Sequence, residues 1–233
     1  MTVSSHCLGA ALAAVLLVAL PLRAAEPAKD KPAEGDKYQW KAMFDGKSLK
    51  GWKVPEFGGE GKVTVKDGAI HIERGDSMSG IAATFDVPTN DYEVAIEAKR
   101  VDGNDFFCTT TFPVEKSFCS FVVGGWGGTV VGLSSIDGYD ASDNQTNRIK
   151  DFKNNQWYRV RVRVTQAKIE CWIDDEQIVD FTRKDHKISI RWECEACRPL
   201  GIATWCTGAA VRDVRIRHLK PEEVKEIAES AEK

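Results

Sequence analysis

The chain has 233 residues, 42% of them apolar and 29% charged, an ordinary globular composition that excludes both wholesale disorder and a polytopic membrane protein. Lys and Arg number 32 against 35 Asp and Glu, so the net charge of -3 leaves no cationic reserve for gripping phosphate backbones, and nucleic-acid binding is not expected.

Residues 7–22 run CLGAALAAVLLVALPL without a charge and lead into Arg23-Ala24-Ala25. That run is short for a membrane span and suits the apolar stretch of a secretory signal. It predicts a signal peptide over residues 1–25, a secreted or periplasmic location, and no membrane span once the signal is cleaved. Residues 26–37, EPAKDKPAEGDK, read as a solvated linker. Losing Cys7 leaves Cys108, Cys119, Cys171, Cys194, Cys197 and Cys206, an even set that in an exported chain predicts disulfides over free thiols. A lone Cys194-x-x-Cys197 is a weak signal for zinc or redox chemistry.

From residue 38 the pattern is β. Tyr92, Val94, Ile96 and Ala98 alternate with charged or small residues, and Val160, Val162 and Val164 alternate with Arg159, Arg161 and Arg163. Ile169, Cys171 and Ile173 repeat the period. Turn pairs Asp45-Gly46, Asp67-Gly68, Asp102-Gly103, Asp137-Gly138 and Asp174-Asp175 punctuate these strands. A hairpin of 106–112 with 118–124 would pair Phe112 with Phe118 and set Cys108 and Cys119 on opposite faces. The Arg row reads as a solvated outer face. Helical spacing enters only after Pro221, as the stripe Val224, Ile227, Ala228 and Ala231. The expected architecture is all-β, an antiparallel sandwich or barrel over 38–219 with a short helical tail over 220–233.

Several pieces occur in an order that resembles a known family. They are Met43-Phe44-Asp45-Gly46-Lys47-Ser48-Leu49-Lys50-Gly51-Trp52, Val65-Lys66-Asp67-Gly68, the strand Asp91–Arg100, Gln156-Trp157-Tyr158, Ile173-Asp174-Asp175-Glu176 and Leu200-Gly201-Ile202-Ala203-Thr204-Trp205. The series is similar to the family named for 3-keto-disaccharide hydrolase activity. The resemblance implies a concanavalin A-like jelly roll, a two-sheet antiparallel sandwich, and a saccharide partner. It also implies hydrolase or lyase chemistry on 3-keto-glycosides, with a non-catalytic, lectin-like module as the alternative. The middle of the chain departs from the commoner members at Gly103-Asn104-Asp105-Phe106-Phe107, Gly124-Gly125-Trp126-Gly127-Gly128 and Ile136-Asp137-Gly138-Tyr139-Asp140.

Sugars bind by ring stacking and by hydrogen bonds from planar polar groups, so these segments supply the candidate ligand residues. They are Asn104, Trp126, Asp137, Tyr139, Asp140 and Asn144, together with Arg191. A ketone at C3 acidifies the C2 proton, and one carboxylate base could then start elimination at C1. Glu97, Asp105 and Glu193 are the candidate bases. Arg191 and Glu193 share a strand parity opposite Ile190 and Trp192. No cofactor is called for by the residue pattern, and a divalent metal stays open as an alternative stabiliser of the enolate. Asp137, Asp140 and Asp143 lack EF-hand spacing, and the few His show no ligand pairing.

Overall fold

The computed structural model describes residues 1–2 and 37–232. Residues 37–232 fall within one compact unit. The signal and linker readings lie outside the described residues. Among the described residues no helix is long and apolar enough to cross a membrane.

Two antiparallel sheets make a jelly roll. The first is ordered β13 (Glu176–Thr182), β12 (Lys168–Ile173), β11 (Tyr158–Val164), β6 (Tyr92–Asp102), β15 (Gly208–His218), β4 (Ala69–Ile72) and β3 (Val63–Lys66), with β1 (Lys41–Ala42) also on β15. The second is ordered β10 (Arg148–Ile149), β9 (Val130–Ser134), β8 (Ser117–Gly125), β7 (Thr109–Val114), β14 (Gly201–Trp205), β5 (Met78–Ala83) and β2 (Trp52–Lys53).

Side-chain alternation decides what each sheet buries. Val160 opposes Ile96 and Val162 opposes Val94, so β6 and β11 turn one aliphatic face inward. That face meets Phe112, Phe121 and Leu133 of the second sheet in one core. Tyr92 is fully buried there, and its hydroxyl donates to the Pro113 carbonyl at 2.7 Å, tying the sheets together. The tight turns follow the sequence: Asp67-Gly68 and Asp137-Gly138 both have two successive positive φ values, the geometry of a hairpin turn that Asp-Gly tolerates.

The outward face of the first sheet is less solvated than expected. Arg159 pairs with Asp175, Arg161 with Glu93 and Arg163 with Glu170, while Arg161 lies 3.9 Å over the Trp172 ring. Glu93 is wholly buried, held by Arg161 at 2.7 Å and Arg217 at 2.6 Å. The tail helix α1 (Pro221–Ala231) buries Ile227, and Glu223 in its first turn accepts from Arg217 at 2.9 Å.

Three expectations change. The hairpin register is one residue over, with Phe112 opposite Cys119 and Pro113 opposite Phe118, so Cys108 and Cys119 share the core face. The disulfide expectation also fails: all six described cysteines are free thiols. Register is the reason for the strand thiols, since Cys119 opposes Phe112 and its thiol donates to the Ser134 carbonyl at 3.9 Å, while Cys171 opposes Val162 and Val179. No strand thiol opposes another. Finally, Trp192–Cys197 is a 3₁₀ segment, and Arg191 and Glu193 do not share a strand face.

Candidate functional site

The outward face of the second sheet is built from small side chains. Gly80 opposes Ala203, Ala203 opposes Thr109, Gly201 opposes Thr111, Thr111 opposes Ser120, Ser120 opposes Ser134 and Val122 opposes Gly132. Small residues at these positions hollow the sheet surface. A Cβ on Gly201 would come within 2.5 Å of the Cys197 carbonyl, so glycine lets the 3₁₀ segment lie directly on β14. Cys194 and Cys197 pack there with Met78 and Ala203.

Between this floor and that segment lies a cavity of about 200 Å³. Thr109, Ser120 and Ser134 line its base, Phe106, Trp126 and Trp205 its sides, and Asp105, Arg191 and Glu193 bring charge to it. Thr109 is 2% exposed and its hydroxyl has no partner within the protein. A buried hydroxyl without a partner is costly, and Thr109 leaves one at the base of the cavity.

Asp105 and Trp126 are set by one another's loops. Asp105 Oδ1 accepts the Phe106 N–H at 2.7 Å and Oδ2 accepts the Gly127 N–H at 3.0 Å. The amide of Asp105 donates to Thr207 Oγ1 at 3.0 Å. Trp126 follows a bulge at Gly124 and itself has a φ of 49°, rare for a bulky residue. A Cβ on Gly128 would meet the Asn104 carbonyl at 2.6 Å, which fixes glycine where the two loops touch. The outcome is an indole 44% exposed at the cavity edge.

Arg191 forms the second charged group. Its Nε and Nη2 donate to the two oxygens of Glu193 at 3.2 and 2.9 Å, and Nη1 donates to Asp140. Asp140 Oδ1 in turn accepts from the Ser134 and Ser135 hydroxyls, each at 3.1 Å. The Arg191 guanidinium holds the Glu193 carboxyl below the usual carboxylate range, with burial acting the other way. Three of the five guanidinium N–H groups are used in these bonds, which leaves two for an incoming oxygen.

The candidate residues therefore divide. Asp105, Trp126, Arg191 and Glu193 meet in the cavity, with Asp140 one step behind Arg191. Glu97 does not join them: it lies on β6, on the outward face of the other sheet, bonded to Arg212 at 2.7 Å. Asp137 accepts from His186 Nδ1 at 2.6 Å and from the Lys187 amide at 2.7 Å, and Tyr139 is 62% exposed beside it. Asn144 is a loop anchor, its amide donating to the Leu133, Tyr139 and Asp140 carbonyls and its oxygen accepting from Thr146. Asn104 is exposed next to Asp105. Asp137, Asp140 and Asp143 each have separate partners, and among the described residues no group of three or more His, Cys, Asp and Glu converges to hold a metal ion.

Phe106, Thr109, Ser120, Ser134 and Trp205 were not foreseen as site residues. The signal was partial: Ser120 is a single hydroxyl flanked by apolar residues, whereas Ser134 is followed by Ser135 and Thr109 opens the run Thr109-Thr110-Thr111, in which parity marks no face.

The family model of the 3-keto-alpha-glucoside-1,2-lyase-like domain matches residues 39–217. No curated protein matches the chain. The Crh5 transglycosylase in complex with NAG superposes with a TM-score of 0.56 at 15% identity, over 78% of this chain and 85% of that one. A prokaryotic β-1,3-1,4-glucanase (lichenase) from a mouse hindgut metagenome gives 0.51 at 11% identity, over 78% and 99%. A Bacillus subtilis protein with a galectin-like fold gives 0.51 at 10%, over 77% and 98%. At these identities the three structures share its fold, and the likeness extends no further.

Proposed function

The chain belongs to the 3-keto-alpha-glucoside-1,2-lyase-like family, and from that premise we propose that it is an exported carbohydrate-active protein that cleaves 3-keto-glycosides. The observation that carries this reading is the convergence of Asp105 with the Arg191–Glu193 pair on one cavity floored by hydroxyls and edged by Trp126 and Trp205. In this reading the sugar ring lies against Trp126, and its ketone oxygen points at Arg191. Asp105 takes the C2 proton, and the electron pair moves onto the C3 oxygen as an enolate. The two remaining Arg191 N–H groups stabilise that oxyanion. Collapse of the enolate restores the ketone, forms the C1–C2 double bond and breaks the C1–O bond. The leaving oxygen takes the proton back from Asp105. Water adding at C1 completes hydrolysis. Glu193 serves to orient Arg191, since its salt bridge makes it the poorer base.

A second reading, a non-catalytic saccharide-binding module, is favoured by that same salt bridge, because Arg191 is already shared between two carboxylates. Purified protein should release the leaving group from a 3-keto-glucoside and leave the parent glucoside intact, assayed with and without a divalent metal. If neither substrate turns over while saccharide still binds, the binding module is the right reading.

A further inference from the structure

A second hollow of about 320 Å³ adjoins the cavity and shares Met78, Glu193 and Trp205 with it. Its remaining wall carries Phe57 and Trp192, with Glu56 and Glu195 at the rim. Trp192 is 79% exposed, far more than a ring of its size needs for packing. One exposed aromatic is ordinary on a protein surface. This one shares a hollow with another indole, a phenyl ring and the thioether of Met78, and the hollow opens into the cavity beside Glu193 and Trp205.

The wall is held in place before any ligand arrives. Glu60 gathers three successive amides, from Phe57 and Gly58 at 2.9 Å and from Gly59 at 3.2 Å. Its own backbone amide first, and then the Phe57 and Gly59 amides, hold its carboxyl below the ordinary range. The Gly59 carbonyl accepts from Asp76 at 2.8 Å, and Gly61 donates to Ser79 Oγ at 2.9 Å, which locks the Phe57 loop to the start of β5. On the far side Trp192 begins the 3₁₀ segment whose Cys194 and Cys197 are buried against the sheet.

The choice of occupant turns on hydrogen-bonding capacity. A second sugar ring needs polar groups for its hydroxyls. Glu193 is committed to Arg191 and Glu195 to Arg198, so two of the three rim carboxylates are already paired. Beyond Glu56 and Ser77, what stays available is aromatic and thioether surface, which suits a flat apolar ring through stacking and sulfur–ring contacts. The surplus of carboxylates also disfavours an anionic occupant.

Resting on the 3-keto-glycoside reading, we propose that this hollow is the leaving-group subsite and that it selects neutral aryl aglycones, with Trp192 as the specificity-determining residue. The phenol oxygen would sit at the junction of the two hollows by Met78 and Trp205, on the Asp105 side where it takes up its proton, and the aryl ring would lie between Trp192 and Trp205.

Binding of the unoxidised glucosides tests this without relying on turnover. By calorimetry the wild type should bind phenyl glucoside at least tenfold more tightly than methyl glucoside, and a glucose disaccharide should show no such gain. Trp192→Ala should erase the phenyl advantage and leave methyl glucoside affinity and the thermal midpoint unchanged. Phe57→Ala should reduce the advantage as a second, independent variant. In turnover, Trp192→Ala should lower kcat/KM about tenfold for a 3-keto aryl glucoside and leave 3-keto methyl glucoside untouched. A phenyl-to-methyl ratio unaltered by Trp192→Ala overturns the proposal, as does a disaccharide that gains as much as phenyl, or a wild type that binds neither glucoside. If no 3-keto-glycoside is cleaved yet the phenyl advantage appears and vanishes with Trp192→Ala, the reaction assigned above fails and the aryl subsite stands.

Discussion

Asp105 depends for its position on two amides, one adjacent and one from Gly127, so its carboxylate is fixed by backbone and not by another charge. That distinguishes it from Glu193, whose oxygens both belong to Arg191. Asp105→Asn keeps the shape and removes the charge, and should lower the rate on a 3-keto-glycoside at least about a hundredfold, the lower range for a general base. Glu193→Gln should cost less and act mainly on substrate affinity, because it frees a guanidinium without removing the base. Steady-state kinetics separates the two, and equal losses from both would remove the distinction drawn here. Trp126→Ala should weaken saccharide binding by about 1–3 kcal/mol. With the indole 44% exposed, the unfolding transition should stay where it is. A collapsed melting temperature would make Trp126 a packing residue instead.

At the level of elements, burial separates two ion pairs that look alike in sequence. Glu93 and Glu97 both sit on β6 and both pair with arginine, but Glu93 is fully enclosed between Arg161 and Arg217. Glu93→Gln leaves two guanidinium groups facing an uncharged amide and should cost roughly 3 kcal/mol in denaturant unfolding. Glu97→Gln, at a partly solvated pair, should cost below about 1 kcal/mol. The turn at Asp45 gives a pH counterpart. Its carboxylate accepts from Lys47, Ser48 and the Ser48 hydroxyl, and the backbone bond from Lys47 leads in lowering its pKa from 3.8 to about 2. A depressed carboxylate stabilises the fold above its unfolded pKa, and that contribution disappears as pH falls from about 4 toward 2. NMR titration of Asp45 should place its midpoint near the lower end. An ordinary midpoint would mean the turn is open in solution. Elements of this kind were readable because alternation and Asp-Gly turns are local signals. The site was not readable as a unit. Asp105 meets Thr207 and Gly127 across long sequence separations, and the 3₁₀ segment at Trp192 mimics strand alternation in Arg191 and Glu193.

For the whole molecule the sulfur chemistry is the sharpest test, because the sequence and the structure disagree on it. An even set of cysteines behind an N-terminal run that reads as an export signal predicts bridges, yet the packed sandwich leaves each described thiol without a sulfur partner. The fold must then be held by its core and ion pairs. Cys108, Cys119, Cys171, Cys194 and Cys197 are buried, and only Cys206 is partly exposed. Burial pushes the Cys108 and Cys119 thiols up to about 12, so raising the solution pH to 9 would not form reactive thiolates at either while the core is closed. Alkylation of native protein, read peptide by peptide, should therefore label Cys206 first. The other five should react only as fast as the sandwich opens, in parallel with unfolding followed by fluorescence. After denaturation without reductant all six should be labelled. Any of the six that resists alkylation there would reveal a bridge and return the disulfide reading. Early labelling of Cys194 or Cys197 alone would show instead that the 3₁₀ segment over the cavity opens locally, uncovering the site while the sheets remain paired.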